Sequence, residues 1–426
     1  MSRKTPYLHF DEIVKRKRPV AFGTMVKPVG SACNLDCDYC YYLDKESLYG
    51  GSEPQMSDAM LEEYIRQYIE GNRVDTVTFT WHGGEPMLAG LDFYRRALEL
   101  QRKYAGGRRI ENAFQTNGVL IDESWCDFFR ENGFLVGISI DGPQSIHDAC
   151  RRDKGGRPTF DRVMRGLELL RRNGVEFNTM TTVNRFSEGR GREVYNFLKS
   201  AGSRFMQFMP VMEYVAGGGD GRRPHIVPPH SEGSRLAEWS VTAKGFGQFM
   251  CDIFDEWVTS DVGRCYVQLF DVTLAQWCRV RPGLCAFCDS CGDSLVVEHN
   301  GDIYSCDHFV YPEYRIGNIA DTGLVDAFAS RRQADFGAAK HDLLAAKCRE
   351  CKWLFACRGE CPKHRFGSVS AEETVSADYN LNALCEGYEQ FFGHAEPYMR
   401  YMADLLRNNQ PPAMVMPWAR SRLGMM

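Results

Sequence analysis

Three cysteines stand close together near the start of the chain, in the segment Cys33-Asn34-Leu35-Asp36-Cys37-Asp38-Tyr39-Cys40. A [4Fe-4S] cube normally takes four cysteine ligands, so three cysteines would leave one iron open to a small chelating molecule. Such an iron would be a reaction site and not only an electron store. Close cysteines can also form part of a zinc site or a redox-active group. The spacing therefore indicates metal or redox chemistry at this loop.

A second group of cysteines lies in the C-terminal third of the chain. Its members are Cys285, Cys291, Cys306, Cys348, Cys351, Cys357, Cys361 and Cys385. Taken alone, they are typical of zinc sites with four thiolates each. Cys288 lies midway between Cys285 and Cys291 and could replace either of them. The remaining cysteines have no motif, and we expect them to be small buried apolar residues.

Length, composition and charge narrow the class of protein. With 426 residues and an ordinary hydrophobic fraction of 44%, the chain fits a catalytic domain of barrel size plus a smaller module. Its 17 cysteines exceed what stability requires, and their clustering favours metal sites in a reducing compartment. Residues Met1 to Arg18 lack the apolar stretch of a signal peptide, so we expect a cytoplasmic protein. The net charge of -5 makes nucleic acid an unexpected partner.

The elements that position these residues follow a βα rhythm up to about residue 215. Short β-rich runs alternate with amphipathic ones, which is typical of a parallel sheet. The predicted strands are Phe22 to Val26, Thr76 to Trp81, Glu111 to Thr116, Leu135 to Ile140, Phe177 to Val183 and Arg204 to Met209. The predicted helices include Met60 to Glu70, Leu91 to Tyr104, Glu123 to Asn132, Asp161 to Asn173 and Arg192 to Ala201. Six such units predict an α/β fold with a partial (βα)6 TIM-type barrel, whose active site lies at the carboxyl ends of the strands.

Three predicted strands run into polar, glycine-containing sequence at those ends. The second ends in Trp81-His82-Gly83-Gly84-Glu85-Pro86, where two glycines would let the backbone approach a ligand closely. The third and fourth end in Gln115-Thr116-Asn117-Gly118 and Ser139-Ile140-Asp141-Gly142-Pro143. Each of the three could also be a simple turn. After the sixth strand, Ala216 to Pro229 is too rich in Gly and Pro for regular structure and marks a boundary.

The C-x3-C-x2-C loop followed by Gly-Gly-Glu-Pro closely resembles the signature of the radical S-adenosylmethionine (SAM) enzymes. The resemblance implies that Cys33, Cys37 and Cys40 hold a [4Fe-4S] cluster whose open iron binds SAM. It places Tyr39, His82, Gly83, Gly84 and Glu85 around the cofactor. It also implies that Ser139 and Arg151 reach the carboxylate and ribose of SAM and that Met212 contacts the adenine. Arg suits a forked carboxylate contact, although the adjacent Arg152 could take that place.

The C-terminal cysteines then resemble the SPASM extension of radical SAM peptide-modifying enzymes, a small cysteine-rich iron–sulfur domain. That resemblance implies two auxiliary [4Fe-4S] clusters, and so three clusters in all. Cys285, Cys291, Cys306 and Cys361 would hold one auxiliary cluster, and Cys348, Cys351, Cys357 and Cys385 the other. We expect the barrel over residues 1–225, a helical connection over 226–284, the SPASM domain over 285–390 and a helical tail over 391–426.

Longer segments of the chain resemble the anaerobic sulfatase-maturating enzymes. Two of these segments are Cys40-Tyr41-Tyr42-Leu43 and Gln268-Leu269-Phe270-Asp271. These enzymes oxidise an active-site cysteine or serine of an unfolded sulfatase to formylglycine. The resemblance implies that Asp307, directly after Cys306, is the catalytic base; Asp307 could instead only brace the loop. It also implies an unfolded or nascent sulfatase as partner, and a flavodoxin or ferredoxin as electron donor. Alternatives are another SPASM enzyme that crosslinks or epimerises a peptide, and a zinc-bound interaction protein.

Overall fold

The computed structural model of the chain describes residues 21–50, 55–217, 224–227, 231–365 and 380–425. The predicted charged start, Met1 to Arg18, and part of the glycine- and proline-rich stretch at 216–229 lie outside the described residues. Within the described ranges, no helix is long and apolar enough to cross a membrane.

The strands are short, as expected for βα units. In chain order they are β1 (Gly23–Lys27), β2 (Thr76–Trp81), β3 (Arg109–Thr116), β4 (Leu135–Ser139), β5 (Phe177–Val183), β6 (Phe205–Pro210), β7 (Tyr214–Ala216), β8 (His225–Val227), β9 (Arg235–Leu236), β10 (Tyr266–Val267), β11 (Ser294–Glu298), β12 (Asp302–Tyr304) and β13 (Arg315–Asn318). The six predicted strands are confirmed to within two residues at each end.

The helices of the βα units fall where the amphipathic pattern predicts them. In chain order the helices are α1 (Asp58–Gly71), α2 (Leu91–Tyr104), α3 (Glu123–Glu131), α4 (Gln144–Cys150), α5 (Phe160–Arg172), α6 (Gly191–Ser200), α7 (Ala243–Ser260), α8 (Gln268–Trp277), α9 (Leu324–Phe328), α10 (Arg331–Asp342), α11 (Ala346–Glu350), α12 (Leu354–Cys357), α13 (Cys385–Arg407) and α14 (Val415–Arg422). Helix α1 begins at an N-cap, where the Ser57 side chain accepts from the backbone N–H of Met60.

The chain forms two compact units, and the first comprises the described residues up to Cys33 together with Lys45–Gln115 and Cys291–Ala339. Its strands lie in the order β3-β2-β1-β11-β12-β13. Strand β1 pairs in parallel with β2 and with β11, and the last three strands pair antiparallel. The sequence did not predict β11 as a neighbour of β1. Helix α1 packs on this sheet through aromatic rings, with Tyr64 edge-on to Phe79 at 5.8 Å.

The second unit comprises Asn34–Asp44, Thr116–Ser290 and the described residues from Lys340 onward. Its parallel strands lie in the order β10-β6-β5-β4. Helices α7, α8 and α13 pack together around the buried Phe254, whose ring lies 5.1 Å from that of Phe270. Strands β8, β7 and β9 form a small antiparallel sheet, so the stretch after residue 213 contains more regular structure than its composition indicates. The α/β fold with a mostly parallel sheet is confirmed.

Candidate active site and metal centres

The loop that carries Cys37 and Cys40 is fixed to the segment that follows helix α4. The backbone N–H of Asp36 donates to the carbonyl of Arg152 at 2.8 Å. Within the loop, the N–H of Cys40 donates to the carbonyl of Cys37 at 3.1 Å, which closes a tight turn. The position of these two thiols is therefore coupled to the segment that contains Arg151.

Asp141 is the centre of a buried charged group in the second unit. Its Oδ2 accepts from the Tyr39 hydroxyl and, at 3.0 Å, from the Arg151 Nε. Its Oδ1 accepts from the backbone N–H of Thr182 at 3.1 Å. Burial raises the pKa of Asp141, but the Arg151 charge, the nearby His147 and the hydrogen bonds from Tyr39 and Arg151 together outweigh burial, so the pKa lies below its usual value. An ionised Asp141 therefore holds both Tyr39 and Arg151.

The structure separates the two neighbouring arginines clearly. Arg151 is buried, whereas Arg152 is exposed and donates from Nε to the carbonyl of Asp148 at 3.3 Å. Of the other residues predicted to bind SAM in this unit, Ser139 is the last residue of β4 and Met212 is buried shortly after β6. Arg151, and not Arg152, is placed to act inside the unit.

Gly84 is required by a close approach between two backbone segments. Its N–H donates to the carbonyl of Gly30 at 2.9 Å, and the next N–H, of Glu85, donates to the carbonyl of Ala32 at 2.8 Å. A Cβ at residue 84 would lie 2.1 Å from the Ala32 oxygen. The sequence predicts that these glycines let the backbone approach a ligand, but at Gly84 the close neighbour is the backbone segment that leads to Cys33.

Glu85 and Gly83 shape the same segment. The buried Glu85 accepts with its Oε1 from the backbone N–H of Met87 at 3.0 Å, which begins the turn Pro86–Ala89. Gly83 has a φ of 133°, a conformation that favours glycine. These contacts fix the backbone that directly follows His82 in the chain.

Lys27, His82 and Asp307 meet in the first unit. The Lys27 ammonium, whose side chain is fully buried, donates to the Asp307 Oδ1 and lies 3.2 Å from the His82 Nδ1. The same Nδ1 accepts from the backbone N–H of Gly83 at 2.8 Å. Asp307 opens the short turn Asp307–Phe309, directly after Cys306. A carboxylate next to a predicted cluster ligand is thus paired with a buried cation.

The charges of this group explain the ionisation of its members. Burial and the Lys27 charge both lower the pKa of His82, to about 4, so the ring is neutral near pH 7. Burial raises the pKa of Asp307, but the charge and hydrogen bond of Lys27 and the neighbouring histidines together outweigh burial, so the pKa lies well below its usual value. Asp307 is therefore ionised near pH 7.

Four predicted cluster ligands line one cavity of the second unit: Cys348, Cys351, Cys357 and Cys385. Apolar side chains complete its wall, among them Trp353, Tyr388 and Phe392. The backbone N–H of Trp353 donates to the Cys351 Sγ at 3.4 Å, and the Lys347 Nζ donates to the Cys385 Sγ at 3.5 Å. Hydrogen bonds to cysteine sulfur and an apolar wall are features that tune iron–sulfur clusters. These residues fit the predicted four-thiolate cluster.

The other four predicted auxiliary ligands divide between the two units. Cys291 and Cys306 belong to the first unit, and Cys285 and Cys361 to the second. In the second unit, the buried Lys340 donates from its Nζ to the carbonyl of Cys285 at 2.7 Å. The set of four ligands stays a prediction.

Cys288 can now be distinguished from its neighbours. Its Sγ donates to the carbonyls of Pro282 and Leu284, at 3.6 and 3.7 Å, and the residue is buried. Each of these contacts uses the S–H as donor, whereas a metal ligand is a thiolate. This contact favours Cys285 and Cys291 as the ligands. In the part of the chain that is described, no three Cys, His, Asp or Glu side chains form a group that could hold a single metal ion.

Sequence patterns did not indicate Lys27, the role of Asp141 or a buried ion pair of the second unit. In that pair the Lys363 Nζ lies 2.5 Å from the Glu213 Oε1. A signal was present for Lys27, since a lysine that ends an apolar strand just before a cysteine loop needs a partner if it is buried. The Asp141 signal was hidden because Asp-Gly-Pro also describes an ordinary turn.

Two family models match the chain. The Radical SAM superfamily matches residues 28–198, and the iron-sulfur cluster-binding domain called SPASM matches residues 285–352. The predicted presence of a radical SAM domain and of a SPASM domain is thus confirmed.

Characterised relatives extend this likeness to nearly the full length. The chain is 49% identical over 393 residues to the serine-type anaerobic sulfatase-maturating enzyme of Bacteroides thetaiotaomicron, covering 92% of this chain and 94% of the relative. It is 32% identical to the cysteine-type enzyme of Clostridium perfringens, covering 90% and 98%. The structure of native anSMEcpe with bound AdoMet and Cp18Cys peptide superposes with a TM-score of 0.77 at 31% identity, covering 90% and 99%. The chain therefore belongs to the anaerobic sulfatase-maturating enzymes, which are radical SAM enzymes with a SPASM domain.

Proposed function

We propose that this enzyme oxidises the active-site serine of a sulfatase polypeptide to formylglycine. The observation that carries this choice of target is the difference in identity, 49% to a serine-type relative against 32% to a cysteine-type relative. The sequence alone left serine and cysteine open.

The cofactors are three [4Fe-4S] clusters and SAM, and we assign each to residues of this chain. Cys33, Cys37 and Cys40 hold the cluster that binds SAM, and the two sets of four C-terminal cysteines hold the auxiliary clusters. Tyr39, His82, Gly83, Gly84, Glu85, Ser139, Arg151 and Met212 surround SAM. When bound, the SAM-binding cluster and SAM supply a 5'-deoxyadenosyl radical that takes a hydrogen atom from the substrate Cβ. An auxiliary cluster supplies an acceptor for the electron left behind. The cavity lined by Cys348, Cys351, Cys357 and Cys385 supports the assignment of one cluster.

The part of the reaction assigned to the protein itself is removal of the hydroxyl proton. Once the Cβ hydrogen is gone, forming the C=O bond requires the proton on oxygen to leave as the electron departs, so an acceptor must lie within hydrogen-bond reach. Asp307 is ionised and is held beside a buried cation. We assign the role of base to Asp307. The atoms balance, since the substrate loses one hydrogen atom, one proton and one electron to give an aldehyde.

The partners follow from this reaction. The substrate is an unfolded or nascent sulfatase, since a serine buried in a folded active site could not reach the cofactor. A flavodoxin- or ferredoxin-like protein supplies the reducing electron. Both partners, and a cytoplasmic location in which the clusters stay reduced, belong to the proposal.

Two synthetic peptides that differ only in Ser or Cys at the target position test the proposal. Each is incubated without oxygen with reconstituted enzyme, SAM and a reductant, and the products are measured by mass spectrometry. We expect dehydrogenation of the serine peptide to an aldehyde that a hydrazide reagent captures, at a higher kcat/KM than the cysteine peptide. A clear preference for the cysteine peptide would overturn the serine assignment. A mass change without a capturable aldehyde would overturn formylglycine formation itself and favour crosslinking.

A further inference from the structure

Lys27 is anchored more firmly than a surface lysine could be. It is the last residue of β1, which pairs on both sides, and its register partner in β11 is the buried Glu298. Its side chain is fully buried. A buried ammonium is costly unless it is paired, so the direction of Nζ is set by the partners it finds. Those partners include the Asp307 Oδ1 and the His82 Nδ1.

The His82 ring fixes that direction further. Its Nδ1 accepts from the Gly83 N–H at 2.8 Å, so this nitrogen bears a lone pair and no hydrogen. A lone pair on Nδ1 attracts the Lys27 ammonium at 3.2 Å, whereas a protonated Nδ1 would repel it. The ring, in turn, is oriented by the glycine backbone to which it is attached. The Lys27 ammonium has three N–H donors, so it can contact the His82 Nδ1 and the Asp307 Oδ1 at the same time. His82 therefore helps to orient Lys27 beside Asp307.

Asp307 has little support from its own element. It belongs to a turn of three residues, Asp307–Phe309, and its side chain is 17% exposed. Its Oδ1 accepts from the Lys27 ammonium, so this ion pair helps to fix the rotation of the carboxylate. Reacting groups must be held in place, since a displacement of about 1 Å can cost roughly a hundredfold in rate.

We propose that Lys27 is a positioning residue for the reaction, which holds the Asp307 carboxylate where the proton leaves the substrate. The inference rests on the proposed role of Asp307 as base. Lys27 acts through Asp307 and keeps its own charge throughout. Removing it should spare generation of the adenosyl radical and impair the step that follows.

The test uses the full-length, cluster-loaded enzyme and measures 5'-deoxyadenosine and formylglycine product in the same reaction. In Lys27→Met we expect iron content and 5'-deoxyadenosine formation near those of the wild type. The product formed per 5'-deoxyadenosine should fall by about a hundredfold. Lys27→Arg keeps the charge with a different geometry and should recover part of the ratio. Lys199→Met is the matched control. Lys199 lies on helix α6 and, like Lys27, forms an ion pair with an aspartate, since its Nζ lies 2.8 Å from the Asp261 Oδ2.

Each outcome decides between positioning and mere structural support. A wild-type product ratio in Lys27→Met would overturn the proposal, as would a parallel loss of iron, 5'-deoxyadenosine and product in Lys27→Met, Lys27→Gln and Lys27→Arg alike. If only Lys27→Met loses its clusters, Lys27→Gln carries the test, since it keeps a polar group without the charge. The Asp307→Asn variant distinguishes failure of the proposed base from failure of the proposed role of Lys27. An unchanged ratio in that variant refutes the base itself, whereas a reduced ratio there with an unchanged ratio in the Lys27 variants refutes only the role of Lys27.

Discussion

Arg151 donates from its Nε to Asp141 at 3.0 Å, and both side chains are buried. A guanidinium has five N–H donors in a rigid fork, so this bond orients the group while other donors stay available. The pair therefore presents Arg151 in a fixed direction, as recognition of a carboxylate requires.

We expect Arg151→Lys to weaken SAM binding. An ammonium cannot make two parallel bonds to a carboxylate, and the loss should be roughly 1.5–3 kcal/mol, as is usual for hydrogen bonds to charged groups. Equilibrium binding of SAM to the reconstituted enzyme measures it. Arg152→Lys is the matched control, because Arg152 is exposed. A loss confined to the Arg152 variant would move the assignment by one residue.

Iron content tests the assignment of the cysteines. Three cubes predict about twelve irons per chain, and replacing Cys33, Cys37 and Cys40 with Ala should leave about eight and abolish SAM cleavage. Replacing the cavity cysteines Cys348, Cys351, Cys357 and Cys385 with Ala should also leave about eight irons, with SAM cleavage retained. Cys278→Ala should bind the full number. If the C-terminal cysteines hold zinc instead, colorimetric iron and zinc analysis will show about four irons in the wild type.

Asp307→Asn tests the base directly. Asn keeps the shape and loses the basicity, so we expect all clusters to bind and SAM to be cleaved. The formylglycine yield should fall roughly 10²- to 10⁴-fold, as is typical of lost general acid–base catalysis. Product measured against 5'-deoxyadenosine gives the answer. If the two stay in the wild-type ratio, the base lies elsewhere, and Asp271 is the next candidate, since burial raises the pKa of its carboxyl to about 6.

Gly84→Ala should disturb the segment before Cys33. The added Cβ would lie 2.1 Å from the Ala32 oxygen, and backbone atoms on both sides have to move. Overpacking of this kind costs about 1–3 kcal/mol. Thermal unfolding and SAM cleavage measure the effect. Gly323→Ala is the control, because its new Cβ would meet no atom closer than 3.6 Å; equal stability of the two variants would contradict the expectation.

Because His147 is buried, we expect the free energy of unfolding to fall in mild acid. Burial lowers the pKa of His147 from 6.5 to about 4, so the unfolded chain binds this proton more readily than the folded one. Stability is therefore unaffected above pH 6.5 and falls between pH 6.5 and 4. At pH 5 the loss should be about 2 kcal/mol. Unfolding of the wild type and of His147→Gln at pH 8 and pH 5 isolates this contribution. An equal acid-induced loss in both proteins would refute it.

Local sequence patterns predicted much of the fold. The parallel strands and their helices have clear periods and end at polar or glycine residues, so β2 and β5 were predicted with the same bounds as observed. The GGEP segment was located, but the reason for Gly84 was not, because it depends on packing against residues 30–32. Likewise, Lys27 and Asp307 are 280 residues apart, and no local pattern links them. Their meeting depends on the pairing of β1 with β11, which only the folded chain shows.

The parallel pairing of β1 with β11 also has a consequence for the order in which the protein is made. Gly23 is aligned with Ser294, so one edge of the first strand has no strand partner until most of the chain has been synthesised. At about 5–20 residues per second, the delay is on the order of tens of seconds. Through that interval the first strand is an open edge, which is a template for wrong pairing. We therefore expect the first unit to form late in synthesis, and the ion pair of Lys27 with Asp307 to form only when residue 307 has left the ribosome.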